Sequence, residues 1–225
     1  MLRKYYLIIV VLLSLVLTAP GFFGFDNWEI STGYFFSNSR AAKSLIEETG
    51  GNPEAHKAIT GDIHLFRDYG DSKGDVQLRL GVVFSTVYLW NFWRSEDSLI
   101  FYGNWIGQGY GAYRLGFMPE VYLDKRNAEY AMGMAVGMGF SIHYFDDNIG
   151  KNDNNNAFEC FIRPQFSMGL GNNTRLKIIA GYHLPFMGTT SRYWYYSTDW
   201  ERIDHIFSPS DLAGPFVNIG VAFHK

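Results

Sequence analysis

The chain carries one cysteine, Cys160, in 225 residues. That excludes an internal disulfide and with it the small disulfide-stapled scaffolds of secreted proteins. Charge is scarce as well: Asp, Glu, Lys and Arg make up 18% of the residues and the net charge is -3. No basic footprint remains for nucleic acid, so nucleic acid is not an expected partner. Long apolar runs are missing beyond the N-terminus, and no helix is expected to cross a membrane. The one early run, Leu7 to Leu17, is too short to span; it follows Arg3 and Lys4 and precedes Ala19 and Gly21. That order reads as a signal peptide over residues 1–21, cut after Gly21 with Ala19 as the alternative. No cysteine adjoins the junction, so a lipoprotein anchor is not expected. Residues 22–225 are expected to form one barrel domain.

What the chain has in place of long runs is alternation. The last strand is the plainest case: Val217, Ile219, Val221 and Phe223 fall on one side, and Asn218, Gly220 and Ala222 on the other. A strand has a side-chain period of two, so one face is continuously apolar. The same reading gives eight strands. Their approximate spans are Asn27 to Phe36, Ala58 to Phe66, Asp75 to Phe84 and beyond, Tyr113 to Leu123, Ala128 to Tyr144, Ala157 to Leu170, Thr174 to Phe186, and the C-terminal strand. Connections alternate in length. Arg67 to Gly74, Asp124 to Asn127 and Gly171 to Asn173 are short; Ser37 to Lys57, the Arg94 region, Asp146 to Asn156 and Gly188 to Ala213 are long. Short turns on one side and long loops on the other are the pattern of bacterial transmembrane barrels. The expected fold is all-β: an eight-stranded antiparallel up-and-down transmembrane barrel with four long outer loops. In the third and fourth strands the alternation continues through Trp90, Trp93, Phe101 and Trp105, so that hairpin should project above the bilayer. Residues Arg40 to Glu48, followed by Gly50 and Gly51, favour a short helix in the first loop.

A soluble barrel would keep its apolar face inside. Here the polar face is crowded with Gly, Ala and Ser, which suits a narrow bore better than a solvated exterior. Its charges nearly balance: Glu29, Asp62, Glu120 and Glu159 against Arg79, Arg114, Arg163, Arg175 and Lys177. Buried ions are costly unless paired, so an ion-pair core without a wide pore is expected. Trp28, Tyr34, Phe36, Tyr122, Tyr130, Tyr144, Phe158, Phe186 and Phe223 lie near strand ends, where interfacial aromatic girdles form.

These features together resemble the small outer-membrane barrel class that includes the OmpW, OmpX and OmpA-barrel families. The resemblance covers the mature chain as a pattern. Its local motif is the final strand, in which Val217, Ile219, Val221 and Phe223 are similar to the signal read by barrel-assembly machinery; His224 and Lys225 after the aromatic depart from it. The resemblance implies outer-membrane lipid and the assembly machinery as partners, loops exposed at the cell surface, and, for OmpW-like members, passage of small hydrophobic molecules.

The ligand-binding candidates are the aromatics of the second and fourth loops: Trp90, Trp93, Trp105, Tyr193, Trp194, Tyr195 and Trp200. Such side chains could line a hydrophobic funnel, pack on one another, or meet a host surface molecule, since rigid aromatics are frequent at binding hot spots. Ser141, His143 and Glu159 are the one constellation with catalytic residue types. Ser141 and His143 share a face, and the hairpin should set Glu159 roughly opposite His143. Lipid A deacylases of similar size use such a set, but in the order His-x-Ser, reversed here. A hydrogen-bonded interior cluster is the plainer reading, and no catalytic residue is assigned. No histidine set has metal-ligand spacing, and no cofactor is expected.

Overall fold

The computed structural model describes residues 24–36, 43, 44, 47, 57–69, 76–94, 105–123, 129–147, 151, 152, 155–196 and 202–224. The expected signal peptide, the two turns at 70–75 and 124–128, and Trp200 lie outside these residues. Lys43, Ser44 and Glu47 are helical, within the segment read as a first-loop helix.

The strands are β1 (Asn27–Phe35), β2 (Lys57–Tyr69), β3 (Val76–Arg94), β4 (Trp105–Leu123), β5 (Tyr130–Asp147), β6 (Lys151–Asn152), β7 (Asn155–Gly169), β8 (Thr174–Gly188), β9 (Ser191–Tyr196), β10 (Arg202–Phe207) and β11 (Gly214–Phe223). Eight of them close into a barrel in the order β1-β11-β8-β7-β5-β4-β3-β2, every pairing antiparallel. Closure joins β1 to β11, with Trp28 opposite Phe223 and Phe35 opposite Phe216. No barrel strand therefore keeps an open edge.

The faces fall as the alternation requires. Met132, Met134, Val136 and Met138 of β5 are exposed on the outside, Val136 by 51%, while Ala131, Ala135 and Ser141 are buried inside. An apolar exterior is unfavourable in water and favourable in hydrocarbon, so the wall is built for lipid. Cys160 belongs to this outer row, between Met138 and Leu184 on the neighbouring strands. β3 and β4 each have 19 residues, nearly twice the length of β11 with 10. A strand of about 9–11 residues already crosses a bilayer, so the β3–β4 hairpin continues above it.

The lumen differs from expectation in one respect. Tyr122 is not a girdle residue: it is wholly buried inside the barrel. It follows Glu120 on the luminal row, and parity outranks its position near a strand end. Phe35, Phe66, Met118, Phe161, Ile179 and Phe216 are buried on the same side. Glycines make the room. A Cβ at Gly116 or Gly137 would strike the Phe161 ring, at Gly133 the Tyr122 ring, and at Gly181 the Phe216 ring. The Gly-rich luminal rows are sockets for large side chains on neighbouring strands, with Gly133, Gly137 and Gly181 directly paired with Tyr122, Phe161 and Phe216. At the end where β1 and β11 meet, Trp28 and Phe223 stack at 4.1 Å outside the wall. His224 turns inward instead, edge-on to Phe66 at 5.6 Å with Nδ1 3.7 Å from Asp68.

The long connections are also more ordered than loops. β6, β9 and β10 form a separate three-stranded sheet. Lys151 and Asn152, from the segment read as a polar tip, pair with Trp194 and Tyr193. The third and fourth outer loops are thus tied together, and the Thr189 amide donates to the Asn156 carbonyl at their base (2.9 Å).

Candidate functional site

Along the bore, the buried charges form two groups of ion pairs. In the half nearer the chain termini, Arg79 donates Nε to Asp68 at 2.6 Å and Nη1 to Glu120 at 3.3 Å. Its guanidinium also lies over the Tyr122 ring, 3.9 Å from the centroid, where the ring's negative face attracts a cation. Lys177 donates Nζ to Glu29 at 2.5 Å and to Gln165 at 2.9 Å. Arg163 Nη2 lies 3.3 Å from both Glu29 and Asp62. Asp62 in turn accepts hydrogen bonds from Ser85, from Ser31 (3.3 Å) and from Asn218 (2.9 Å). Tyr122 and Arg175 both reach Ser167, the latter at 3.0 Å.

Towards the outer loops, Arg114 donates Nε to Glu159 at 2.5 Å and Nη2 to the backbone carbonyl of Leu212 at 3.2 Å. Leu212 ends a short 3-10 helix, Pro209–Leu212, and is fully buried. The segment is set locally: the Ser208 amide donates to the Asp211 carboxylate at 2.7 Å, as at the N3 position of a capping box, and the Asp211 amide closes the 3-10 turn on the Ser208 carbonyl at 3.0 Å. The fourth loop therefore reaches into the mouth of the barrel. His183 lies in the same layer, stacked on Phe216 at 4.8 Å with Phe161 and Phe35 nearby.

The residues with catalytic types meet, but not as a relay. Ser141 Oγ is 2.9 Å from His143 Nε2, and Glu159 is 3.5 Å from that same nitrogen. A histidine that passes a proton between serine and carboxylate needs one ring nitrogen for each. Glu159 is also engaged by Arg114, and Ser141 has no exposure. The register places Glu159 opposite Gly139 rather than His143, since the β5–β7 pairing runs Ser141 to Ala157 and His143 to Asn155. The cluster is a hydrogen-bonded interior group.

The predicted ligand-binding aromatics divide into two sets. Trp90, Trp93 and Trp105 extend the barrel strands: Trp90 pairs with Lys57 and Gly109, Trp93 with Ile106, and Trp105 with Arg94. Position 93 continues the odd-numbered row that lines the lumen lower in β3, whereas 90 belongs to the other row. Tyr193, Trp194 and Tyr195 lie on β9 in the separate sheet, opposite His205, Asp204 and Ile203. Trp194 shares strand parity with Arg192, whose side chain is exposed, and its partner strand exposes Arg202, Asp204 and Ile206. The two tyrosines occupy the opposite parity. The sequence puts His183 on the polar face of its strand but isolated and without a role, and Leu212 was missed altogether. The signal for His183 was its place on the Lys177–Gly181 row; nothing local marks Leu212.

No protein-family model and no curated protein matches the sequence. Among solved structures, the chain is similar to a major outer membrane protein from Thermus thermophilus, at 11% identity, covering 88% of this chain and 99% of that one with a TM-score of 0.46. It is also similar to the outer membrane protein OprG from Pseudomonas aeruginosa, at 10% identity, covering 89% and 97% with a TM-score of 0.43. The protein is a small barrel of the outer-membrane type. That assignment rests on its closed sheet, its apolar exterior and its ion-paired lumen.

Proposed function

We propose that this barrel resides in a bacterial outer membrane and binds small apolar molecules with the aromatic residues of its outer loops. The observation that carries the reading is the β6-β9-β10 sheet, which fixes the run Tyr193-Trp194-Tyr195-Tyr196 in a defined register instead of leaving it on a loose loop. A backbone already held in a sheet loses less conformational freedom on binding than a free loop. Trp93, on the row of the tall β3–β4 hairpin that continues the luminal face, supplies the second wall in this reading, while Trp90 and Trp105 occupy the opposite row. The lumen below is filled by ion pairs, which an apolar solute would have to desolvate. Capture at the outer surface is therefore favoured over passage down the bore. The final strand, with Val217, Ile219, Val221 and Phe223 outward, serves as the element presented to barrel-assembly machinery.

The test is Trp194→Ala with Trp200→Ala, read by quenching of tryptophan fluorescence with small amphiphiles and by direct ligand binding. Each lost indole removes on the order of 150–250 Å2 of contact, so affinity should fall while the barrel stays heat-modifiable on gels. Unchanged affinity would reject the funnel. A surface adhesin would then be the better reading, favoured by the exposed Arg192, Arg202, Asp204 and Ile206 of the same sheet.

A further inference from the structure

Between the two groups of ion pairs lies a cavity lined by Asp62, Ser85, Arg163, Arg114, Glu159 and His183, with Phe161 against it. Three of its polar side chains, Arg114, Glu159 and His183, are buried with at least one atom unpartnered, Oε1 in the case of Glu159. Arg114 Nη1 has no hydrogen bond, although Nε and Nη2 are both engaged. His183 has none on either ring nitrogen; its one polar approach is Glu159 at 3.7 Å, too long for a hydrogen bond. Each such group loses its hydration on burial and regains nothing, unless something in the cavity satisfies it.

We infer that this cavity is a binding site for a single water molecule, held by Arg114 Nη1 and His183. The chemistry of the wall selects the guest. An anion would be drawn by Arg114 and Arg163 but repelled by Glu159 and Asp62, and a cation the reverse. An apolar guest would leave the guanidinium and the imidazole unsatisfied. A neutral molecule that both donates and accepts answers all of them, and the cavity has room for about one water. Water accepts from Arg114 Nη1 and donates to, or accepts from, a ring nitrogen of His183 according to its tautomer. Ser85 and Asp62 belong to the inner charge group, Arg114 and Glu159 to the outer one. The water therefore sits where the two networks meet and joins them.

The experiment uses the full barrel in lipid nanodiscs with labelled histidine and arginine side chains. Water-edited NMR should show a cross-peak from long-lived water to the His183 ring and to the Arg114 guanidinium. His64 is the internal control: it too is buried without a hydrogen-bond partner, but it does not line the cavity. It should show no cross-peak. Absence of the His183 peak, or an equal peak at His64, overturns the proposal, the second because water would then be spread through the bore. His183→Phe supplies an independent reading, since phenylalanine fits an environment already made by Phe35, Phe161 and Phe216. With water bound, the substitution removes a hydrogen-bond partner, and the folding equilibrium constant should fall about tenfold in urea titrations of vesicle-inserted protein. In a dry cavity it would remove an unsatisfied imidazole, so an unchanged or raised constant overturns the site.

Discussion

Arg79 and Arg114 sit on neighbouring strands, both buried, yet they are held in different ways. Arg79 has a carboxylate on either side, Asp68 and Glu120, and the Tyr122 ring over its face; every partner comes from a barrel strand. Arg114 has one buried carboxylate, one unpaired nitrogen beside a cavity, and a carbonyl from Leu212 in the fourth loop. The first half of the lumen is closed by the wall itself. The second is closed in part by a loop segment folded back into the mouth.

The sharpest test of that contrast is Arg79→Ala. It strands Glu120 as a buried charge, whereas Asp68 is partly exposed and keeps the Asn27 amide, and losing one partner of a buried pair costs about 3–5 kcal/mol. Urea titration of the vesicle-inserted barrel should show a large loss of stability; a loss below that for Arg114→Ala would reverse the comparison. Next is Val136→Arg, on the lipid side of the wall, where a charge near the bilayer midplane costs roughly 2–4 kcal/mol. Insertion yield should drop, whereas Ser210→Arg in the exposed part of the 3-10 segment should leave it unchanged. Equal effects would mean that the outer row does not face lipid.

Arg114→Ala comes third. It frees Glu159 and the Leu212 carbonyl, but the loop can move and let water reach them. The expected cost is about 3 kcal/mol, at the lower end of the range for breaking a buried ion pair. The smallest effect concerns current. Planar-bilayer recordings of the parent should show little or no conductance, because ion pairs fill the bore. Leu212→Gly should not change this, since Arg163, Asp62, Glu29 and Lys177 still block the passage below. A porin-like current in the variant would place the seal in the outer half, and one in the parent would overturn the closed lumen.

Much of this was legible in the chain. The outward row of β5, from Tyr130 to Ile142, and the inward Arg79, Glu120, Arg163 and Lys177 all follow from period two. Tyr122 was misplaced because nearness to a strand end was weighed above its parity with Glu120. The luminal phenylalanines were hidden for a related reason: Phe161 interrupts a polar row, and only the facing Gly116 and Gly137 explain how it fits. At the candidate site, the aromatic run on β9 was visible as composition. Its attachment to Lys151 and Asn152 was not, since no local pattern in an Asn-rich segment specifies a partner strand.

Alternation along the chain settles the side of the wall on which each strand residue stands, because it is local and a shift by one residue would turn every apolar side chain into the lumen. Which luminal charges meet was decided only by the tertiary structure. Lys177 finds Glu29 across 148 positions, and Arg163 finds it across 134. Those distances close because the sheet does: joining β1 to β11 brings the first strand beside the last, and the stagger of eight tilted strands sets which rows share a level in the bore.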